Sequence, residues 1–439
     1  MSAGKFSLSF VGFMLCLVVS GMSGLIYEVA WVRSLELVFG ATSFAVATVL
    51  AAFMGGLALG SLWMGRAAQR LARFHPLRVY AVIECLIGAA GLLVPLLLQA
   101  IVPLYQLSFT HLHASFTLFS LWRLALCGSV LLLPTALMGA TLPIASRVAA
   151  EGAAAETGRR VGFLYAANTF GAVIGCAAAG LALLPSIGLR RTEWLAVGLN
   201  LLAAGGAILL ARTRRGLRPE PAADDRTPAG PAATAALEAA AAGTGAARAG
   251  TGAARAGHVL VALYAISGAT AMAYEVAWSR LLVLVLGSST YSYTIMLTTF
   301  LLGLASGAWI GARLMQKRAH ALLAAALSQV LVALTTYLGL YLVRELPYLY
   351  TVAHDRLQPS ARGLLGVQLA LAAGVMILPT LGLGAMFPIT IAGLDPSRAG
   401  APRIVGRAYA WNTLGAIAGS LLAGFCLVPR LGSRGTLVA

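Results

Sequence analysis

SGMSGLIYEVAWVRSLELVFG at residues 20–40 returns as SGATAMAYEVAWSRLLVLVLG at residues 267–287. Without a gap, residues 20–70 align to 267–317 with 20 identities in 51 positions, and both copies carry YEVAW. Farther along, LPTALMGATLP at 133–143 matches LPTLGLGAMFP at 378–388, and residues 159–192 match 403–436 at 17 of 34 positions. Several blocks recurring in one order mean that the chain is two copies of one structural unit.

The solvent of that unit is lipid. Hydrophobic residues make up 59% of the 439 positions and charged residues 10%, far from the roughly 25% charged usage of soluble domains. Apolar runs long enough to span a bilayer, which takes about 20 residues, fall at 8–32, 37–65, 77–104, 116–146, 161–185, 191–211, 258–280, 286–312, 319–343, 364–391 and 404–429. Eleven helices are expected, because hydrocarbon offers no partner to open backbone groups.

The formal charge of +17 is distributed between these runs rather than gathered with aromatics into a nucleic-acid patch. Of the 31 Lys and Arg, 20 fall in the loops after even-numbered spans and in the central linker, with Arg66, Arg70, Arg73 and Arg78 in the 2–3 loop alone. The positive-inside rule then places the N-terminus and linker in the cytoplasm. Six spans separate the two repeat starts, so the repeats insert in the same sense, the relation between the halves of major-facilitator transporters.

Three regions follow: an N-terminal six-helix repeat at 1–212, a disordered Ala/Gly/Pro/Arg tether at 213–257 containing TGAARAG twice, and a five-helix repeat at 258–439. The matching twelfth span would begin where the sequence stops at Ala439, which reads as a fragment or truncated form.

Charged side chains in a bilayer face a cavity or a partner, and four positions qualify: Glu28, its repeat mate Glu275, Glu84 and Arg123. Two readings of Glu28 and Glu275 stand side by side. Each pairs with a nearby arginine, Arg33 or Arg280, and fixes a helix end; or both face the central axis as a two-site clamp for a cation, with Tyr27 and Tyr274 adding cation–π contacts. Trp31 and Trp278 suit an interfacial belt. Glu84, whose counterpart is Gln329, is either a proton-coupling carboxylate or a partner of Arg123. Asn168 and Asn412, in YAANTFGA and YAWNTLGA, either bond neighbouring helices or touch substrate. Gly56/Gly60, Gly171/Gly175 and Gly415/Gly419 have the spacing of close helix packing. Pro134 and Pro379 fall inside spans, where proline kinks a helix.

The five cysteines lie in apolar segments without metal or disulfide spacing, His111 and His113 lack further ligands nearby, and neither a P-loop nor a GxGxxG unit is present. No cofactor, metal, catalytic residue or nucleic-acid partner is expected.

The two YEVAW strings, LPTALMGATLP and GFLYAANTFGAVIG resemble the membrane domain of integral spermidine-synthase-like proteins, described as fused major-facilitator/spermidine synthases. The resemblance covers about nine tenths of the chain, all but the linker. It implies a soluble aminopropyltransferase-like domain that this chain lacks, so no catalytic residue carries over. GSLWMGRAAQR at 60–70 is similar to the major-facilitator 2–3 loop motif but has no Asp. The expectation is a major-facilitator-like all-α protein of a bacterial-type inner membrane. It would handle a polyamine or other small organic cation, or else serve as a non-catalytic anchor for an aminopropyltransferase-like domain or a membrane complex.

Overall fold

In a computed structural model the described residues are 7–40, 43–112, 116–151, 156–213, 244–287, 290–314, 320–358, 360–394 and 400–438. They are helical almost throughout, with no strand. The first repeat comprises α1 (Leu8–Phe39), α2 (Ser43–Ala67), α3 (Pro76–Leu112), α4 (Phe116–Ala149), α5 (Thr157–Ala178) and α6 (Leu184–Thr213). The second comprises α7 (Thr244–Leu286), α8 (Thr290–Leu314), α9 (Ala321–Leu357), α10 (Ala361–Leu394), α11 (Ala401–Leu422) and a short α12 (Val428–Val438).

Ten helical runs among the described residues are long and apolar enough to cross a membrane. One of them, Thr157–Thr213, is 57 residues long, about 85 Å at 1.5 Å per residue, nearly three times the ~30 Å hydrocarbon core. It contains two of the expected spans, because Gly188 breaks it with φ 75° and ψ 173°. That backbone is open to glycine and closed to residues with a Cβ. Its repeat mate, Gly432, breaks the chain at φ 69° and ψ 174° before the final turns. Even the irregularities are duplicated: a five-residue π-helical segment follows α5 at Ala179–Leu183, and another follows α11 at Ala423–Leu427.

One boundary moves. Helix α7 reaches back to Thr244 instead of starting at 258, so both TGAARAG copies are helical and not part of a tether. Alanine and arginine are strong helix formers, and here they outweigh the glycines. The rest of the expected tether, 214–243, lies outside the described residues, as does His113.

Packing within each repeat follows one plan. α1 packs on α5 and α2 on α4, as α7 packs on α11 and α8 on α10; α3 and α9 lean on α4 and α10. Close approach is set by glycine. Gly171 and Gly175 of α5 face the carbonyls of Val18 and Met22, and Gly415 and Gly419 of α11 face those of Ala265 and Ala269. A methyl group at any of the four would overlap main-chain atoms. In α2, Gly56 and Gly60 press on Thr135 and Ala136 of α4 in the same way.

The halves meet along two seams, α2 against α11 and α5 against α8, which are repeat mates of one another. At one end of the first seam the Ser61 hydroxyl donates to the Gly406 carbonyl at 3.2 Å, and at the other the Ser420 hydroxyl donates to the Ala47 carbonyl at 3.3 Å. Ala47 and Ser61 lie 14 residues apart on α2, about 21 Å of helix, so the seam is held both above and below the middle of the bundle.

Candidate functional site

Between the seams lies a cavity of about 240 Å³. α1 and α7 supply Glu28 and Glu275 to its wall, α5 and α11 supply Tyr165, Asn168, Tyr409 and Asn412, and α2 and α8 supply Phe53 and Phe300. Each of these pairs consists of repeat mates, so the chamber is built twice over from one set of sequence positions. Among the described residues no Lys, Arg or His lines it.

Glu28 is 7% exposed and Glu275 is 5% exposed. Among the described residues neither carboxylate has a hydrogen-bond or ion-pair partner, and the two stand within electrostatic range of each other. Removing an unpaired carboxylate from water is costly unless a cation or a proton joins it.

The arginine partners weighed for these acids do not form. Arg33 reaches Glu36 at 3.5 Å instead, and Arg280 is exposed. Five residues along a helix amount to about 140° of rotation, which points Arg33 and Arg280 away from the chamber that Glu28 and Glu275 line.

Tyr27 and Tyr274 are also absent from the lining. Adjacent helical residues differ by about 100°, so a tyrosine next to a cavity-facing glutamate turns elsewhere. Tyr27 turns into the first repeat, beside Gly91 of α3, and stacks on Trp31 at 4.9 Å; Tyr274 sits 5.1 Å from Trp278. Both tryptophans are 1% exposed, so they are core residues, not an interfacial belt. The aromatic faces that do line the cavity are those of Tyr165, Tyr409, Phe53 and Phe300.

Glu84 is fully buried one layer behind the cavity. The Ser20 hydroxyl donates to its Oε1 at 2.6 Å and the Asn200 amide to its Oε2 at 2.8 Å. Both donors line the cavity, so α1, α3 and α6 are knotted together at a carboxylate that is one side chain away from the chamber. Arg123 is not its partner: the guanidinium lies 4.6 Å from the Phe119 ring centroid. The sequence marked Glu84 by its charge but not Ser20 or Asn200, because neutral polar residues are unremarkable in a span until their neighbours are known.

Asn412 donates to the Tyr264 carbonyl at 2.8 Å, which ties α11 to α7, and also borders the cavity; Asn168 borders it from the opposite side. Glu193 of α6, 5% exposed and beside the Trp31 indole, is a buried acid that sequence reasoning passed over because it sits near a span end.

No family model matches the chain, and no curated protein matches it. The resemblance to integral spermidine-synthase-like proteins is therefore without support from either comparison. Solved structures do match. A bacterial homologue of the iron transporter ferroportin, in an outward-facing state, aligns over 98% of this chain and 95% of that one at 13% identity with a TM-score of 0.55. The human organic anion transporter MFSD10 aligns over 98% and 94% at 15% identity and 0.51. The major facilitator superfamily transporter FucP, in the outward conformation, covers 98% and 94% at 15% identity and 0.50. The chain has the major-facilitator fold and is a multipass integral membrane protein.

Proposed function

We propose that this protein is a major-facilitator-type transporter that takes a polyamine or other small organic cation into the chamber between its halves. The observation that carries the reading is the pair Glu28 and Glu275: two buried carboxylates, in one cavity, with no basic residue on its wall among the described residues. Two separated negative groups suit a solute with two separated ammonium groups, and the faces of Tyr165 and Tyr409 add cation–π attraction. A volume of about 240 Å³ lies below the roughly 300 Å³ at which pockets for drug-sized ligands begin, which favours a slender solute. The membrane is a bacterial-type inner membrane, with the N-terminus and the linker on the cytoplasmic side in keeping with the arginine distribution.

The alternative, a non-catalytic anchor for an aminopropyltransferase-like domain or a membrane complex, expects every buried acid to be satisfied by the protein. Glu84 meets that expectation; Glu28 and Glu275 do not. The deciding experiment is uptake of labelled polyamines into proteoliposomes, with and without a pH gradient. Saturable uptake that is lost in the Glu28→Gln/Glu275→Gln variant supports transport. Uptake indifferent to both substitutions, or none above empty liposomes, removes this reading.

A further inference from the structure

At the arginine-rich end of the α2–α11 seam a second hollow, of about 350 Å³, opens on the outside of the bundle. Arg66, in the last turn of α2, and Arg403 and Arg407, in the first turns of α11, converge on it. None of the three has an acidic partner among the described residues. Below them the lining becomes apolar. Leu62 lies one turn deeper on α2, and Trp411 and Leu414 lie one and two turns deeper on α11. Over about 10 Å of helix the wall passes from cationic, through an indole, to aliphatic.

The twin seam, α5 against α8, is closed at the equivalent place. The repeat offsets of 247 and 244 place Arg313 at the position of Arg66, Trp309 at that of Leu62, Arg159 at that of Arg403 and Phe163 at that of Arg407. There Phe163 and Trp309 fill the hollow edge to face at 4.7 Å, Arg313 lies 5.3 Å from the Trp309 ring, and Arg159 is neutralised by Glu156 at 2.9 Å. One seam is plugged with rings, with one arginine ion-paired and the other laid against an indole. Its copy is open and carries three uncompensated guanidinium groups.

We propose that the α2–α11 hollow is a binding site for an anionic phospholipid, whose phosphate lies among Arg66, Arg403 and Arg407 and whose acyl chain runs down past Trp411 onto Leu62 and Leu414. Guanidinium groups bind phosphate oxygens in a fork that lysine does not offer, and basic pockets between membrane helices take lipid head groups. The apolar lower half separates a lipid from a free phosphate ion, which has no use for it. Trp411, 48% exposed, sits at the change of polarity, where an indole is most at home.

The test is a titration of the delipidated, detergent-solubilised full chain with phosphatidylglycerol, phosphatidylcholine and inorganic phosphate, followed by native mass spectrometry. Phosphatidylglycerol is expected to bind much more tightly than phosphatidylcholine. Arg403→Gln/Arg407→Gln should weaken it roughly 30-fold, about fivefold per charge removed. Arg403→Lys/Arg407→Lys, which keeps the charge, should lose less than tenfold and gives a reading even if the Gln variant aggregates. Equal affinity for the two lipids, or an unchanged affinity in the charge-removing variant, overturns the proposal. So does inorganic phosphate binding as tightly as the lipid, which would make the site one for a soluble anion.

Discussion

Asn200 of α6 donates from its amide nitrogen to the Glu84 carboxylate of α3 at 2.8 Å, while its own carbonyl oxygen has no partner. The bond is buried and joins two helices of the first repeat, and the idle oxygen leaves it room for adjustment.

Glu84→Gln should therefore be nearly silent in stability. A glutamine side chain would oppose its NH₂ to that of Asn200, but a flip of the Asn200 amide offers the idle oxygen and restores the bond. A cost below about 1 kcal/mol is expected. Asn200→Leu and Glu84→Leu each strand a buried polar group and should cost about 1–3 kcal/mol. Thermal unfolding in detergent, compared across the three variants, checks the order.

Glycines that look alike in the sequence should separate into two classes. Gly60→Ala and Gly171→Ala drive a methyl group into the facing main chain, at Ala136 and Val18, and should destabilise by about 1–3 kcal/mol. Gly205→Ala on α6 meets nothing within 4 Å and should stabilise by up to about 1 kcal/mol through helix propensity. Unfolding midpoints of the three variants, measured side by side, test this.

Removal of charge from the central chamber should weaken cation affinity by on the order of tenfold for each carboxylate, equivalent to about 1.4 kcal/mol. Glu28→Gln and Glu275→Gln are expected to behave alike, because the two positions are repeat mates lining the same chamber. Tyr27→Phe should leave uptake unchanged, since that hydroxyl lies in the first repeat's core and not on the lining. A Tyr27→Phe variant as defective as Glu28→Gln would contradict the geometry.

Arg147 of α4 donates to the carbonyls of Leu71, Ala72 and Phe74 at 3.1, 3.3 and 3.2 Å. One guanidinium thus satisfies three main-chain acceptors in the turn between α2 and α3. Arg147→Lys cannot span all three, so this turn should become the first site of limited proteolysis, with a several-fold faster cleavage rate.

Much of this architecture can be read from the residues alone, for a physical reason: duplication writes the same constraint twice. Gly171 and Gly415, or Glu28 and Glu275, stand out because each occurs in both copies. What escaped was set by direction and by neighbours. Tyr27 and Trp31 lie in the same string as Glu28, yet the helical twist sends them into the core. Ser20 and Asn200 acquire meaning only once α1, α3 and α6 are brought together, and the α2–α11 hollow shows only against its plugged twin. The break at Gly188 was visible as a loop between spans, whereas the early start of α7 was masked by glycines whose cost the surrounding alanines outweigh.

The knot at Glu84 ties α1, α3 and α6 of the first repeat to one carboxylate. Its counterpart in the second repeat is Gln329, whose amide nitrogen is buried without a partner. If the halves part for a solute to pass, α1, α3 and α6 should travel as one piece around that carboxylate. Under mechanical load drawn through the membrane, these three helices should be the last to come apart.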